Sequence, residues 1–232
     1  GAEVEGVGVA RVAAELAALP APPADQHKVD DWLGLLKPLM TSRANHDDEP
    51  DPILFVTQAE RDEARATLAA HDVSPDDIVV GIHAGGSHDA KRWPPGNFAE
   101  VGRALAQRHN ARLLVFVDPE GAGGDMQAGE NAIFVRTSIR EMMALLTHCD
   151  MLLSNDSGPM HVAAALGVPV VAVFRTGNPR AYGPRGLNHV VVGRGAAWGS
   201  TTEVPLDDVL SAAESSLAVI RSNRQRGTGQ KT

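Results

Sequence analysis

The chain has 232 residues, of which 43% are hydrophobic and only 4% aromatic, and its formal net charge is −8. That length and apolar share suit one good-sized folded domain with an extension and exclude global disorder. The acidic balance argues against a general nucleic-acid binder, and no apolar run approaches the roughly 20 residues needed to span a bilayer.

Cys149 is the single cysteine, so no intrachain disulfide framework exists and a reducing compartment is expected. The start, "GAEVEGVGVARVAAELAALPAPP", lacks the basic and apolar regions of a secretory signal, which makes the cytoplasm the expected location. It opens on Gly-Ala rather than Met and reads as a cut inside a longer protein.

Val9 to Leu19 is expected to form a short helix that ends at the prolines of "PAPPAD". A second helical patch carries Val29, Trp32, Leu33, Leu36 and Leu39 at helical spacing. "TSRANHDDEPDP" is polar, acidic and proline-bearing, so residues 1–50 are read as a helical extension and linker, with a domain boundary near residue 50. "ILFV" then predicts a short strand. Thr57 with Glu60 predicts a capping box that opens a helix to about His71. "IVVGIH" (Ile78 to His83) is a strand, "GNFAEVGRALAQRH" a helix, "RLLVFV" (Arg112 to Val117) a strand and "AIFV" another. Ser138 with Glu141 predicts a second capping box, and its helix ends near Cys149. Strands follow at "MLLS" (Met151 to Ser154), at "VPVVAVF" (Val168 to Phe174) after a short helix, and at "HVVVG". "LDDVLSAAESSLAVIRSN" is a last long helix, and residues 223–232 are read as a flexible tail.

Strand and helix alternate, and several strands are apolar throughout, as strands buried on both faces must be. The expected fold is therefore α/β over residues 51–222: a Rossmann-like parallel sheet with helices on both faces. Ligands in such sheets sit outside the carboxyl ends of the strands, which directs attention to four loops.

After His83 comes "HAGGSHDAKRWP". Gly85 and Gly86 let the backbone approach a ligand, Ser87 adds a hydroxyl, and Lys91 and Arg92 add positive charge, a set that suits phosphate oxygens. A glycine turn with a solvated basic pair explains the same residues. Trp93 is expected to pack and close the loop. After Ser154 comes "NDSGPMH". Ser157 or Gly158 is placed to cap a helix, Pro159 fits its first turn, and the helix amides point out of the strand end toward an anion such as a diphosphate. His161, one turn in, can donate to a phosphate or sugar oxygen, and Asp156 can accept from a ligand hydroxyl. The bland alternative has Asp156 only capping the helix and His161 partly buried in it. Ser157, His161 and Asp156 do not suit a catalytic triad, because Ser157 and His161 share one helix face. After Phe174, Thr176, Gly177 and Asn178 are placed to close the same pocket. After Val117, Glu120 is placed to accept ribose hydroxyls. No metal motif is present, so neither a metal nor another cofactor is expected.

Together, "SNDSGPMHVAAALGVPVVAVF", "HAGGSHDAKRWP", "NPRAYGPRG" and the earlier "HKVDDWLGLL" resemble glycosyltransferase family nine, the bacterial heptosyltransferases of lipopolysaccharide core assembly. The resemblance spans most of residues 27 to 193. It implies one half of a GT-B glycosyltransferase, with residues 1–50 a remnant of the interdomain region. It implies metal-independent transfer of a sugar from a nucleotide-diphosphate donor, ADP-heptose above all, to a glycan or glycolipid acceptor held by the other domain, with the enzyme cytoplasmic or peripheral at the inner membrane. Gly85, Gly86, Ser87 and Lys91 would then contact the diphosphate. Asp156, Ser157, Gly158, Pro159, His161 and Thr176 would line the phosphates and sugar, Glu120 the ribose, and Lys91 and His161 would stabilise the leaving group. The N-terminal domain that carries the catalytic base in this family has no counterpart in the sequence, and "DPEGAGGDM" departs from the family's usual Gly-Gly turn. Two other readings stand beside it: a nucleotide-sugar-binding module without catalysis, and a sugar-nucleotide epimerase of similar build.

Overall fold

The computed structural model describes residues 53–118, 121, 123–124, 126–193 and 200–228. The two helices expected before residue 50, the acidic linker and Glu120 lie outside the described residues.

Among the described residues, six strands form a single parallel sheet: β1 (Ile78–His83), β2 (Ala111–Phe116), β3 (Ala132–Val135), β4 (Met151–Asn155), β5 (Val170–Val173) and β6 (Val190–Val192). Their order is β3-β2-β1-β4-β5-β6. The chain winds outward from β1 in one direction, returns to the centre at β4 and winds outward in the other. The loops after β1 and β4 therefore leave adjacent strands toward opposite faces, the switch point where such sheets bind ligands. The register sets His83 beside Ser154.

The helices are α1 (Gln58–Ala69), α2 (Pro95–His109), α3 (Ile139–Leu146), α4 (Gly158–Ala165), the short α5 (Pro179–Tyr182) and α6 (Leu206–Thr228). Alternate residues of each strand face opposite sides, and the core divides accordingly. Val80, Ile82, Leu113, Val115, Leu153 and Val171 pack with Phe98 and Leu105 of α2 and with Val209, Ala213 and Leu217 of α6. Val79, Leu114, Phe116, Leu152 and Val170 pack on the other face with Leu68 of α1, Leu145 and Leu146 of α3 and Met160 of α4. The expected Rossmann-like α/β sheet, covered on both faces, is the fold observed.

Both predicted capping boxes form. Thr57 accepts from the Glu60 amide while Glu60 accepts from the Thr57 amide. Ser138 and Glu141 do the same at α3. Arg140 of α3 also pairs with Glu60, which ties the two boxes together.

Two expectations differ. "ILFV" is not a strand: one backbone bond, from the Leu54 amide to the Ala165 carbonyl, holds it, and Ile53 and Phe55 remain 65% and 79% exposed. With no strand beside it, its apolar run reflects a peripheral contact through Val56 rather than a ladder position. The "PRAY" segment forms the short α5. The last helix runs on to Thr228, into the segment read as a tail. Within that stretch Arg224 donates to Asp150, 2.6 Å away. Burial pushes the Asp150 carboxyl above the usual aspartate range, and the Val79 amide and Arg224 pull against that shift.

Two outcomes follow for the caps. Ser138→Ala should lower unfolding stability by about 1 kcal/mol, the usual cost of an N-cap hydroxyl, read by urea denaturation. Arg140 and Thr57 hold the Glu60 carboxyl at about 2, below its ordinary 4.5. Its folded-state pKa is depressed, so its stabilisation is complete above about 4.5 and is lost as pH falls toward about 2. Glu60→Gln should flatten the stability profile across that acid window, and an unchanged slope would contradict the pairing.

Candidate functional site

The carboxyl ends of β1, β4 and β5 bring three of the four loops together. A short 3₁₀ turn (Asp89–Lys91) follows the glycines of the β1 loop and delivers Lys91 to the β4 loop. Its ammonium lies 2.7 Å from an Asp156 carboxylate oxygen, with the side chains only 14% and 5% exposed. Gly177 of the β5 loop, at φ +79°, comes so close that a Cβ there would stand 3.8 Å from the same oxygen. Thr176, beside it, is buried.

Asp156 does not cap α4. The N-cap residue is Ser157, and its side chain makes no capping bond. Its hydroxyl instead lies 3.2 Å from Ser154 Oγ and 3.2 Å from His83 Nδ1. Pro159 sits in the first turn, as expected. Gly158 and His161 are exposed at the helix start, so the partly buried alternative for His161 does not hold. Ser87 is also exposed.

His83, 2% exposed, joins a second charged group: its Nε2 lies 2.7 Å from Asp118 Oδ1. That bond, with smaller help from Arg92 and the Gly86 amide, holds the Asp118 carboxyl below the usual aspartate range against a desolvation cost. Arg92 is committed to the loop itself, its Nε donating to the Gly86 carbonyl at 2.8 Å and its Nη1 to Asp89 at 2.9 Å.

The fully buried Asn155 organises this end of the sheet. Its Nδ2 donates to the carbonyls of Ala84 (2.8 Å) and Gly85 (3.0 Å), and its Oδ1 accepts from the Trp93 amide (2.9 Å). Trp93 packs as expected, edge-on to Phe98 at 5.0 Å, and its indole N–H donates to the Val204 carbonyl at 2.9 Å. Arg175 adds a bond to the Arg92 carbonyl at 2.6 Å.

Residue by residue, the structure gathers Gly85, Gly86, Lys91, Asp156, Ser157, Gly158, Pro159 and Thr176 at one end of the sheet. His83, Ser154, Asn155 and Asp118 are the residues that sequence reasoning missed. Their signal was polarity: His83, Ser154 and Asn155 are polar residues at the end of otherwise apolar, doubly buried strands. A separate hollow of about 460 Å³ lies among Glu60, Ala64, Phe134, Arg140 and Leu145, and none of the loops after β1, β4 or β5 lines it. Among the described residues no group of three or more His, Cys, Asp or Glu is placed to hold a metal ion, and no helix is long and apolar enough to cross a membrane.

Residues 11–205 match Glycosyltransferase family 9 (heptosyltransferase). The chain belongs to that family. A similar family 9 protein is lipopolysaccharide heptosyltransferase 2 of Salmonella typhimurium, 29% identical over 144 residues, which are 57% of this chain and 41% of the relative. The chain thus spans about two-fifths of that relative's length. Among solved structures, the family 9 glycosyl transferase of Veillonella parvula superposes with a TM-score of 0.68 at 24% identity, covering 83% of this chain and 60% of that one. The Escherichia coli heptosyltransferase WaaC, solved with ADP, gives 0.59 at 19% identity, covering 84% and 58%. At these identities the structural likeness bears on the fold alone, and it places the sheet among those of family 9 enzymes.

The geometry makes one clear demand on Asn155. Asn155→Ala leaves a buried amide and two buried carbonyls without partners, at about 1–3 kcal/mol for each such group, so a loss above about 3 kcal/mol is expected in urea denaturation. Asn155→Asp should be no better, because it turns an acceptor toward the Ala84 and Gly85 carbonyls. A stable Asn155→Asp protein would show that the carboxamide does not hold the loop.

Proposed function

We propose that this chain is the donor-binding half of a metal-independent heptosyltransferase. It would seat a nucleotide-diphosphate sugar, ADP-heptose above all, for transfer to a lipopolysaccharide-core or related glycan acceptor. The observation that carries this reading is the convergence at the β1–β4 switch point. The Lys91–Asp156 pair, the close-approaching glycine loop and the uncapped start of α4 all meet there. Helix-start amides with their dipole, joined by a lysine, suit a diphosphate. Family membership and the ADP found with WaaC support the choice of nucleotide.

In this reading Lys91, Ser157 and the α4 amides meet the diphosphate and stabilise the charge that grows on it as the sugar leaves. Asp156 holds Lys91 in place and accepts from a sugar hydroxyl. His161, exposed one turn into α4, and Thr176 line the sugar side. Glu120 is assigned the ribose from its place after the strand that ends at Val117 and from the resemblance. The base that deprotonates the acceptor hydroxyl belongs to the other half of the enzyme. A second reading is a nucleotide-sugar-binding module without transfer activity.

Calorimetry with ADP, UDP and GDP tests the site. ADP should bind best, and Lys91→Ala should weaken it tenfold or more, since loss of one charge-assisted contact is worth about 1.5–3 kcal/mol. A folded protein that binds none of the three refutes the donor-site reading. Sugar transfer by the isolated chain would exclude the binding-module reading and show that the base is present in it.

A further inference from the structure

The hydroxyl chain at the ends of β1 and β4 has two proton arrangements that differ by one proton. A hydroxyl carries a single proton and a carbonyl can only accept. Ser154 Oγ lies 2.9 Å from the Asn155 carbonyl, Ser157 Oγ lies 3.2 Å from Ser154 Oγ, and His83 Nδ1 lies 3.2 Å from Ser157 Oγ. His83 Nε2 faces the Asp118 carboxylate at 2.7 Å, so that nitrogen carries a proton in both arrangements.

With Nδ1 bare, the two hydroxyl protons serve only two of the three contacts, and the ring contact is a hydrogen bond only when Ser157 gives its proton to Nδ1. Ser154 then serves either Ser157 or the Asn155 carbonyl, and one of those contacts goes without a proton. With Nδ1 protonated, every contact is served: Nδ1–H donates to Ser157, Ser157 to Ser154, and Ser154 to the Asn155 carbonyl. The imidazolium faces its counter-ion in Asp118.

The difference reaches the ligand through Ser157, the partly exposed N-cap residue of α4 whose side chain makes no capping bond. Phosphate diester oxygens accept hydrogen bonds and do not donate them. When His83 is neutral, the Ser157 proton is held on Nδ1 and the hydroxyl shows an anion only lone pairs. When His83 is charged, it fills a Ser157 lone pair, and the Ser157 proton can swing from Ser154 to a phosphate oxygen.

We propose, resting on the reading of the β4–α4 turn as a diphosphate seat, that His83 is a positioning residue that must carry both ring protons for Ser157 to donate to the nucleotide's phosphate. Binding of the diphosphate then draws a proton onto His83. The charged groups on the surrounding elements are Asp118 after β2, Lys91 and Arg92 after β1, Asp156 before α4, His161 on α4 and Arg175 after β5. Asp118 touches the ring at Nε2. Lys91 is matched by Asp156, Arg92 acts on Asp118, Arg175 binds the Arg92 carbonyl, and His161 is exposed.

The test is the pH profile of ADP affinity, by calorimetry from about pH 6 to about pH 9, for the parent, His83→Gln and Ser157→Ala. Protonation changes of the nucleotide and of Lys91 or Asp156 are common to all three and cancel in the ratios. The parent's advantage over either variant should shrink as pH rises, by up to about tenfold per unit. At the alkaline end, titrations in two buffers of different ionisation enthalpy should show the parent taking up more protons on binding than His83→Gln. Parallel profiles for the parent and both variants, with ADP bound by all, overturn the proposal and leave the donor site standing. If His83→Gln does not fold, the ratio of the parent to Ser157→Ala decides alone. A folded parent that binds no ADP at any pH refutes the donor site and the proposal with it.

Discussion

One buried carboxamide holds the functional end of this sheet in shape. Asn155 ends β4, and its side chain reaches across to the loop that leaves the neighbouring strand, where it meets two carbonyls and an amide that no ladder can serve. Loops that leave a sheet toward opposite faces share no backbone bonds at the switch point, so something else must fix their separation. The carboxamide can do this because its two ends differ: a carboxylate could not donate and an ammonium could not accept. Trp93 extends the same logic at the far side of the loop, with its ring in the core and its N–H on the Val204 carbonyl. Lys91 lies between these two fixed points, which is why a long, flexible side chain arrives at Asp156 in a defined place.

Charge at this site is paired locally although the whole chain is acidic. Lys91 faces Asp156, largely shielded from water, and Asp118 takes its hydrogen bond from the buried His83 ring. Buried charges persist only when matched in this way. An anion seated here would meet a nearly neutral set of side chains, so its attraction would come from the direction of amides and dipoles more than from net charge. Such a seat suits a ligand that must also leave, because a concentrated positive patch would hold the product diphosphate as firmly as the donor.

Much of this architecture was readable in the sequence because local rules and the global fold agree. Apolar runs such as "IVVGIH" and "VVAV" could only be strands buried on both faces, and the Thr57–Glu60 and Ser138–Glu141 spacings marked helix starts that the structure keeps. The glycine loop and the β4 turn were legible as strand-end loops. What escaped was the pairing of side chains across loops: Lys91 with Asp156, His83 with Asp118, and Asn155 with the β1 backbone. Those contacts depend on strand order, which sets β1 between β2 and β4, and no local pattern encodes it. "ILFV" failed for the opposite reason. Its composition is that of a strand, but a strand needs a neighbour, and only one carbonyl is offered to it.

The glycine at position 85 takes on a different meaning once Asp118 is in view. A Cβ there would lie 1.7 Å from an Asp118 carboxylate oxygen, an impossible contact. The two positions are therefore coupled: the Asp118 carboxylate that leans into the loop must move aside before a side chain fits at 85, while a small residue at 118 would remove that contact. Among related sequences, freedom at the first glycine should track the loss of this acid, and a designer who wished to rebuild the loop would have to move both residues at once.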